Sequence, residues 1–181
     1  MDPNNFQLDK REEFSDGKYA VHTFSDQSKK FRRLSCDAES ICILPFELNE
    51  SNQIKNAYLL KYEDFLLGGS KFTCVTDTFN KDKYDSHFAA VEDCLNEQIG
   101  ITGVDINDCY FLGTVSHGLP FSKEYRCYAV NVTSALSEMG MTSQVSNNHV
   151  EKVRFNKIVN GGFPDSLILS CSLLLLSYFS E

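Results

Sequence analysis

The sequence predicts an α+β domain behind an N-terminal extension, and three observations predict it. Six segments with strand-like patterning lie between Ser40 and Ile158, an amphipathic stretch from Phe88 to Ile101 interrupts them after the third, and a nearly uniform apolar segment, Leu167 to Phe179, closes the chain. The length of 181 residues allows one domain with a proper core and about 30 residues over. Aromatic residues make up 12% of the chain, as 14 Phe and 8 Tyr, which calls for a packed interior.

Residues 1–34 read as an extension or arm and residues 35–181 as the domain. Met1 to Arg33 is polar, with Phe6, Phe14 and Phe24 among its few apolar anchors. Within it YAVHTF, from Tyr19 to Phe24, alternates as one short strand. The domain then offers SICILPFEL (Ser40 to Leu48), NAYLLKYEDF (Asn56 to Phe65) and FTCVTDTF (Phe72 to Phe79), with turns at Asn49 to Lys55 and around Gly68-Gly69. After the amphipathic helix come DCYFLGTV (Asp108 to Val115), EYRCYAVNV (Glu124 to Val132) and VEKVRFNKI (Val150 to Ile158), each read as a strand. Pro164-Asp165-Ser166 is a helix start, since free backbone N–H groups need an acidic or hydroxyl acceptor there. The LILSCSLLLLSYF that follows is too short to span a bilayer and reads as a core helix.

The most informative stretch is FAAVEDCLNEQIGI, Phe88 to Ile101. Phe88, Val91, Cys94, Leu95 and Ile99 recur at helical spacing and form one apolar stripe, leaving Glu92, Asp93, Asn96 and Glu97 outside. An ordinary amphipathic helix accounts for that pattern. The stretch also resembles a Nudix box that has lost most of its chemistry. The family pattern is a glycine, five residues, a glutamate, seven residues, then Arg-Glu-apolar-any-Glu-Glu-any-Gly-apolar.

With Gly100 on the closing glycine, Asp93 falls on the arginine, Cys94 on the first catalytic glutamate, Glu97 and Gln98 on the glutamate pair, and Asp85 on the early glutamate. Sliding by one places Glu92 on the arginine, Asp93 on the glutamate, and Asn96 and Glu97 on the pair, with one extra residue before Gly100. Asp93 and Glu97 are four apart and share a helix face, so they are the candidate metal ligands and catalytic carboxylates, with Asp85 as a third. Neither register keeps the arginine or the full acidic set.

The resemblance covers roughly Ser35 to Phe179 and rests also on the order of the strands and helices. It implies an α/β/α sandwich, a mixed β-sheet flanked by helices. An active member of the family holds magnesium or manganese on the box carboxylates and hydrolyses nucleoside diphosphate derivatives.

A net charge of −8 and a pI near 5.0 argue against a nonspecific grip on nucleic acid, which needs lysines and arginines to neutralise phosphates. Lys29, Lys30, Arg32 and Arg33 form one local basic cluster, read as a solvated edge. The seven cysteines have no CxxC pair and no metal-like spacing. They read as reduced thiols of a cytoplasmic protein, most of them small apolar core residues. The four histidines read as structural.

These observations lead to a catalytically silent interaction or structural module without a cofactor. Its expected partners are other protein subunits met through the N-terminal arm, in a larger assembly such as a virus particle, and its expected place is the cytoplasm or the virion. Neither a membrane nor nucleic acid is an expected partner. The alternatives are a magnesium- or manganese-dependent hydrolase and a sensor that binds a nucleotide without turnover.

Overall fold

The computed structural model describes residues 7–14, 19–25, 30–36, 39–63, 68–117, 121–139 and 149–180. Its strands are β1 (Gln7–Phe14), β2 (Tyr19–Ser25), β3 (Lys30–Cys36), β4 (Ser40–Leu48), β5 (Ile54–Glu63), β6 (Ser70–Thr73), β7 (Val75–Thr78), β8 (Cys109–His117), β9 (Phe121–Asn131) and β10 (Val150–Arg154). Its helices are α1 (His87–Ile99), α2 (Thr133–Glu138), α3 (Phe155–Val159) and α4 (Ser166–Phe179).

The centre is the parallel pair β4 and β9, in register from Ser40↔Tyr125 to Phe46↔Asn131. Along β4 the side chains alternate between two buried faces. Ile41 and Ile43 join the core under α1, whereas Cys42, Leu44 and Phe46 join the core under α4. β9 repeats this, with Tyr128 and Val130 on the first face and Cys127 and Ala129 on the second. A strand buried on both faces reads as a continuous apolar run, which is why SICILPFEL was legible. The first core is closed by Val91, Cys94, Leu95 and Ile99 of α1 and Ala135 and Leu136 of α2. The second is closed by Phe155 and Ile158 of α3 and Leu167, Ile168, Cys171 and Leu175 of α4. The architecture is therefore the expected mixed sheet between helices.

Three readings of the sequence are corrected. FTCVTDTF is not one strand: β6 pairs with β5 and β7 with β4, and the chain changes partner at Cys74. β4 and β5 pair only at Phe46 to Leu48 with Ala57 to Ile54, and where they part the incoming chain takes first one edge and then the other. VEKVRFNKI is a strand only to Arg154. Phe155 and Ile158 are both buried in the second core, and a spacing of three reaches one face only through a helical turn.

The N-terminal extension contains three strands, not one. They form an antiparallel meander, β1 with β2 and β2 with β3, and β3 joins β9 in parallel at Leu34↔Phe121 and Ser35↔Ser122. β1 places Asp9, Lys10, Arg11, Glu12 and Glu13 in succession, so no apolar alternation announced it. Phe14 and Phe24 fall on β1 and β2, but their side chains, like the whole of Phe6, lie outside the described residues. Finally, α4 buries only one face: Leu169, Leu173 and Tyr178 are exposed on the other. Among the described residues no helix is long and apolar enough to cross a membrane.

Helix α1 starts at Ser86, whose side chain accepts from the Ala89 N–H, and stops at Gly100, which has φ +72°. The Gly100 N–H turns back to the carbonyls of Asn96 and Leu95. Leu95 is fully buried. Leu95→Ala is expected to cost about 2–5 kcal/mol through lost burial and a cavity, and Gly100→Ala about 1–2 kcal/mol through left-handed strain. Urea melts of the two variants measure both.

Candidate functional site

Helix α1 closes at Gly100, and Ile101 returns to the core at 1% exposure, an end that both registers of the pattern share.

Asp93 lies on the outer side of α1 and is occupied. It accepts from the Lys83 ammonium at 2.7 Å and from the Tyr84 hydroxyl at 2.5 Å. These two donors hold its carboxyl below the ordinary range, and Asp93 in turn raises the Lys83 ammonium. Glu97 sits one turn further along, 3.9 Å from the same Lys83 nitrogen and 59% exposed. The structure therefore brings Asp93 and Glu97 to one face, as their spacing required, with an ammonium between them. Asp85 is exposed ahead of the helix, and among the described residues no contact is recorded that joins it to the pair.

Cys94 faces the core. Burial, reinforced by the Asp77, Glu97 and Asp93 carboxylates, pushes its thiol up to about 12. Gln98 turns inward as well, its amide donating to the Thr76 carbonyl at 3.0 Å and reaching the Cys94 sulfur at 3.2 Å.

Sequence reasoning missed a second polar group beside the start of α1. Glu39, just ahead of β4, meets His87 Nε2 at 2.8 Å and Arg126 of β9 at 3.0 Å. The hydrogen bond from His87, aided by Arg126, lowers the Glu39 carboxyl. The His87 ring stacks on Phe79 with centroids 4.1 Å apart. The Arg126 guanidinium lies 5.4 Å above Phe111, itself half exposed and 5.3 Å from Tyr128. Only the alternation of β9, which carries Arg126 toward Tyr128 and Glu124, hinted at this group. The set combines a carboxylate, a guanidinium and an imidazole beside an exposed ring.

A third carboxylate, Glu47 of β4, is structural. Its burial would raise its pKa, but Lys152 at 2.8 Å, Tyr58 at 2.5 Å and Asn56 at 2.7 Å together lower it. A surface cleft of about 410 Å³ lies on the α4 side, lined by Tyr62, Lys71, Phe72 and Phe163. The carboxylate in its lining, Asp165, already caps α4 by accepting from the Ile168 N–H.

No family model matches the sequence, and no curated protein matches it. Solved structures match the fold. An ADP compounds hydrolase is similar with a TM-score of 0.62 at 11% identity over 97% of this chain and 95% of that one. NrtR of Shewanella oneidensis, complexed with a 27mer DNA, gives 0.59 at 12% identity over 78% of this chain and 62% of that one. A MutT/Nudix family protein from Listeria innocua gives 0.54 at 13% identity over 80% and 94%. The fold of this chain is Nudix-like. Coverage of 97% can be reached only if the N-terminal strands are largely included.

Glu39 and Glu47, the two lowered glutamates, set an acid limit. Their folded pKa values lie below the ordinary 4.5, so the stability they contribute is complete above that value and is lost as pH falls through the folded values. Melting temperature is expected to drop from about pH 4.5 downward, and Glu47→Gln is expected to flatten that dependence. Thermal melts of both proteins across this range measure it.

Proposed function

We propose that this chain is a Nudix-fold interaction module that does not hydrolyse diphosphates. The observation that carries the reading is Lys83. A dication of the magnesium type needs about six oxygen ligands, several of them carboxylates that can approach together. Here the Lys83 ammonium already lies 2.7 Å from Asp93 and 3.9 Å from Glu97, Cys94 is buried, and Gln98 is committed to the Thr76 carbonyl. This donor set does not fit magnesium or manganese.

The interaction half of the reading has two supports. α4 exposes Leu169 and Leu173, one turn apart, with Tyr178 beyond them. A helix apolar on nearly all sides is usually covered on all sides. The N-terminal meander is a second surface offered to another protein subunit, with the described side chains of β1 mostly exposed.

A second reading, a sensor that binds a nucleotide without turnover, is favoured by one specific group: Arg126 over the exposed ring of Phe111. Rings stack on bases, and guanidinium groups pair with phosphates.

A panel of nucleoside diphosphate derivatives, each offered with magnesium and with manganese, separates the readings. The expected result is no release of phosphate or nucleoside monophosphate above that of Glu97→Gln. Release that disappears in Glu97→Gln would restore the hydrolase. Saturable binding without release, lost in Arg126→Ala, would put the sensor first.

A further inference from the structure

Four cysteines distant in sequence converge on the α4 face of the sheet, opposite the face that carries α1. Cys42 on β4 and Cys127 on β9 are register partners in the parallel pair. Cys74 sits where the chain passes from β6 to β7, and Cys171 lies on the inner side of α4. All four are completely buried. The sulfurs of Cys42 and Cys171 are 3.7 Å apart, and those of Cys42, Cys127 and Cys171 all lie within 4.8 Å of one another. Cys74 lies in the same core but outside that group of three sulfurs.

We propose that the converging thiols of Cys42, Cys127 and Cys171 bind one zinc ion, with Cys74 moving in from the same core as the fourth sulfur, in a closed site that pins α4 to the sheet. Zinc holds thiolates at about 2.3 Å in a tetrahedron, which sets its sulfurs about 3.8 Å apart. The Cys42 to Cys171 separation already has that value, and the third sulfur needs to move by less than about 1 Å. A disulfide would need its two sulfurs at about 2.05 Å, so the same pair would have to close by more than 1.5 Å and leave two thiols over.

An ordinary apolar core explains a buried cysteine one at a time. It does not explain why four thiols, from two strands, a strand junction and a helix, share one pocket. Cys94 and Cys109, the other two described cysteines, belong to the opposite core. The cysteines are fully buried in a core that also holds Leu44, Phe46, Leu59, Ile168 and Leu175, so no position is open to a substrate and the site is structural. Soft sulfur ligands select zinc over magnesium. On loading, each thiol gives its proton to solvent as its sulfur bonds to the ion, and no oxidant is needed. Because the pocket is closed, the ion enters during folding.

The test uses the full chain, expressed with zinc and purified under reducing conditions. Elemental analysis is expected to find one zinc per chain, retained against EDTA and released when a mercurial titrates the thiols. Refolding with cobalt in place of zinc is expected to give the thiolate-to-cobalt charge-transfer absorption and the visible bands of tetrahedral cobalt. Cys171→Ala and Cys42→Ala are expected to lose the metal, while Cys94→Ala and Cys109→Ala keep it. If the first two variants do not fold, the cobalt spectrum of the unaltered chain decides alone. A folded chain that takes up neither ion on refolding overturns the proposal, as does a disulfide within the four in freshly quenched cells.

Discussion

The parallel pairing of β4 with β9 is the constraint on which the rest of the molecule depends. Most of β4 and the Cys127 to Val130 stretch of β9 are buried on both faces, so there every backbone group must be paired inside the sheet and every side chain packed by a covering layer. β9 meets the first need by taking β8 antiparallel and β4 parallel, with β3 added near its start. The two helical layers meet the second. At about 25 cal/mol per Å² of apolar surface removed from water, covering both faces is the main source of stability available to a chain of this size.

That constraint decides what α1 can do. The helix must turn Val91, Cys94, Leu95 and Ile99 inward to close the first core, which leaves its outward face to Asp93, Asn96 and Glu97. Cys94, on the inner side, is 1% exposed. A carboxylate buried there would need a cation or several donors to remain charged. A thiol needs neither. On the outer side Lys83 lies 2.7 Å from Asp93 and 3.9 Å from Glu97, so the two carboxylates share one cation.

How much was legible follows from period and distance. β4, α1 and α4 were readable because each carries its packing pattern within about ten residues: a doubly buried run, a stripe at helical spacing, an apolar segment behind an Asp165 cap. The extension was misjudged because β1 is charged along most of its length and takes its place from pairing with β2, which no local pattern records. Phe155 to Ile158 was misread because Val153 and Phe155 alternate as a strand would, and only the burial of Ile158 three residues on marks the helical turn. At the site, the four-residue spacing of Asp93 and Glu97 placed them together correctly. Lys83 and the trio of Glu39, His87 and Arg126 were not legible, since they come from loops and strands that only the folded sheet makes adjacent.

The cysteines show the same limit in its strongest form. Motif reading looks for metal ligands a few residues apart, because loops usually supply them in pairs. A sheet supplies them differently. Register sets Cys42 beside Cys127 across 85 residues, and the packing of α4 brings Cys171 over both. The alternation that sends Ile41 and Ile43 to one core must send Cys42 to the other, so the thiols gather on the face away from the carboxylates of α1. Hard oxygen donors and soft sulfur donors are thereby separated by the thickness of the sheet. An ion that prefers one set has no reason to occupy the other, and the state of the sulfur cluster bears on the anchoring of α4, not on the chemistry at Asp93 and Glu97.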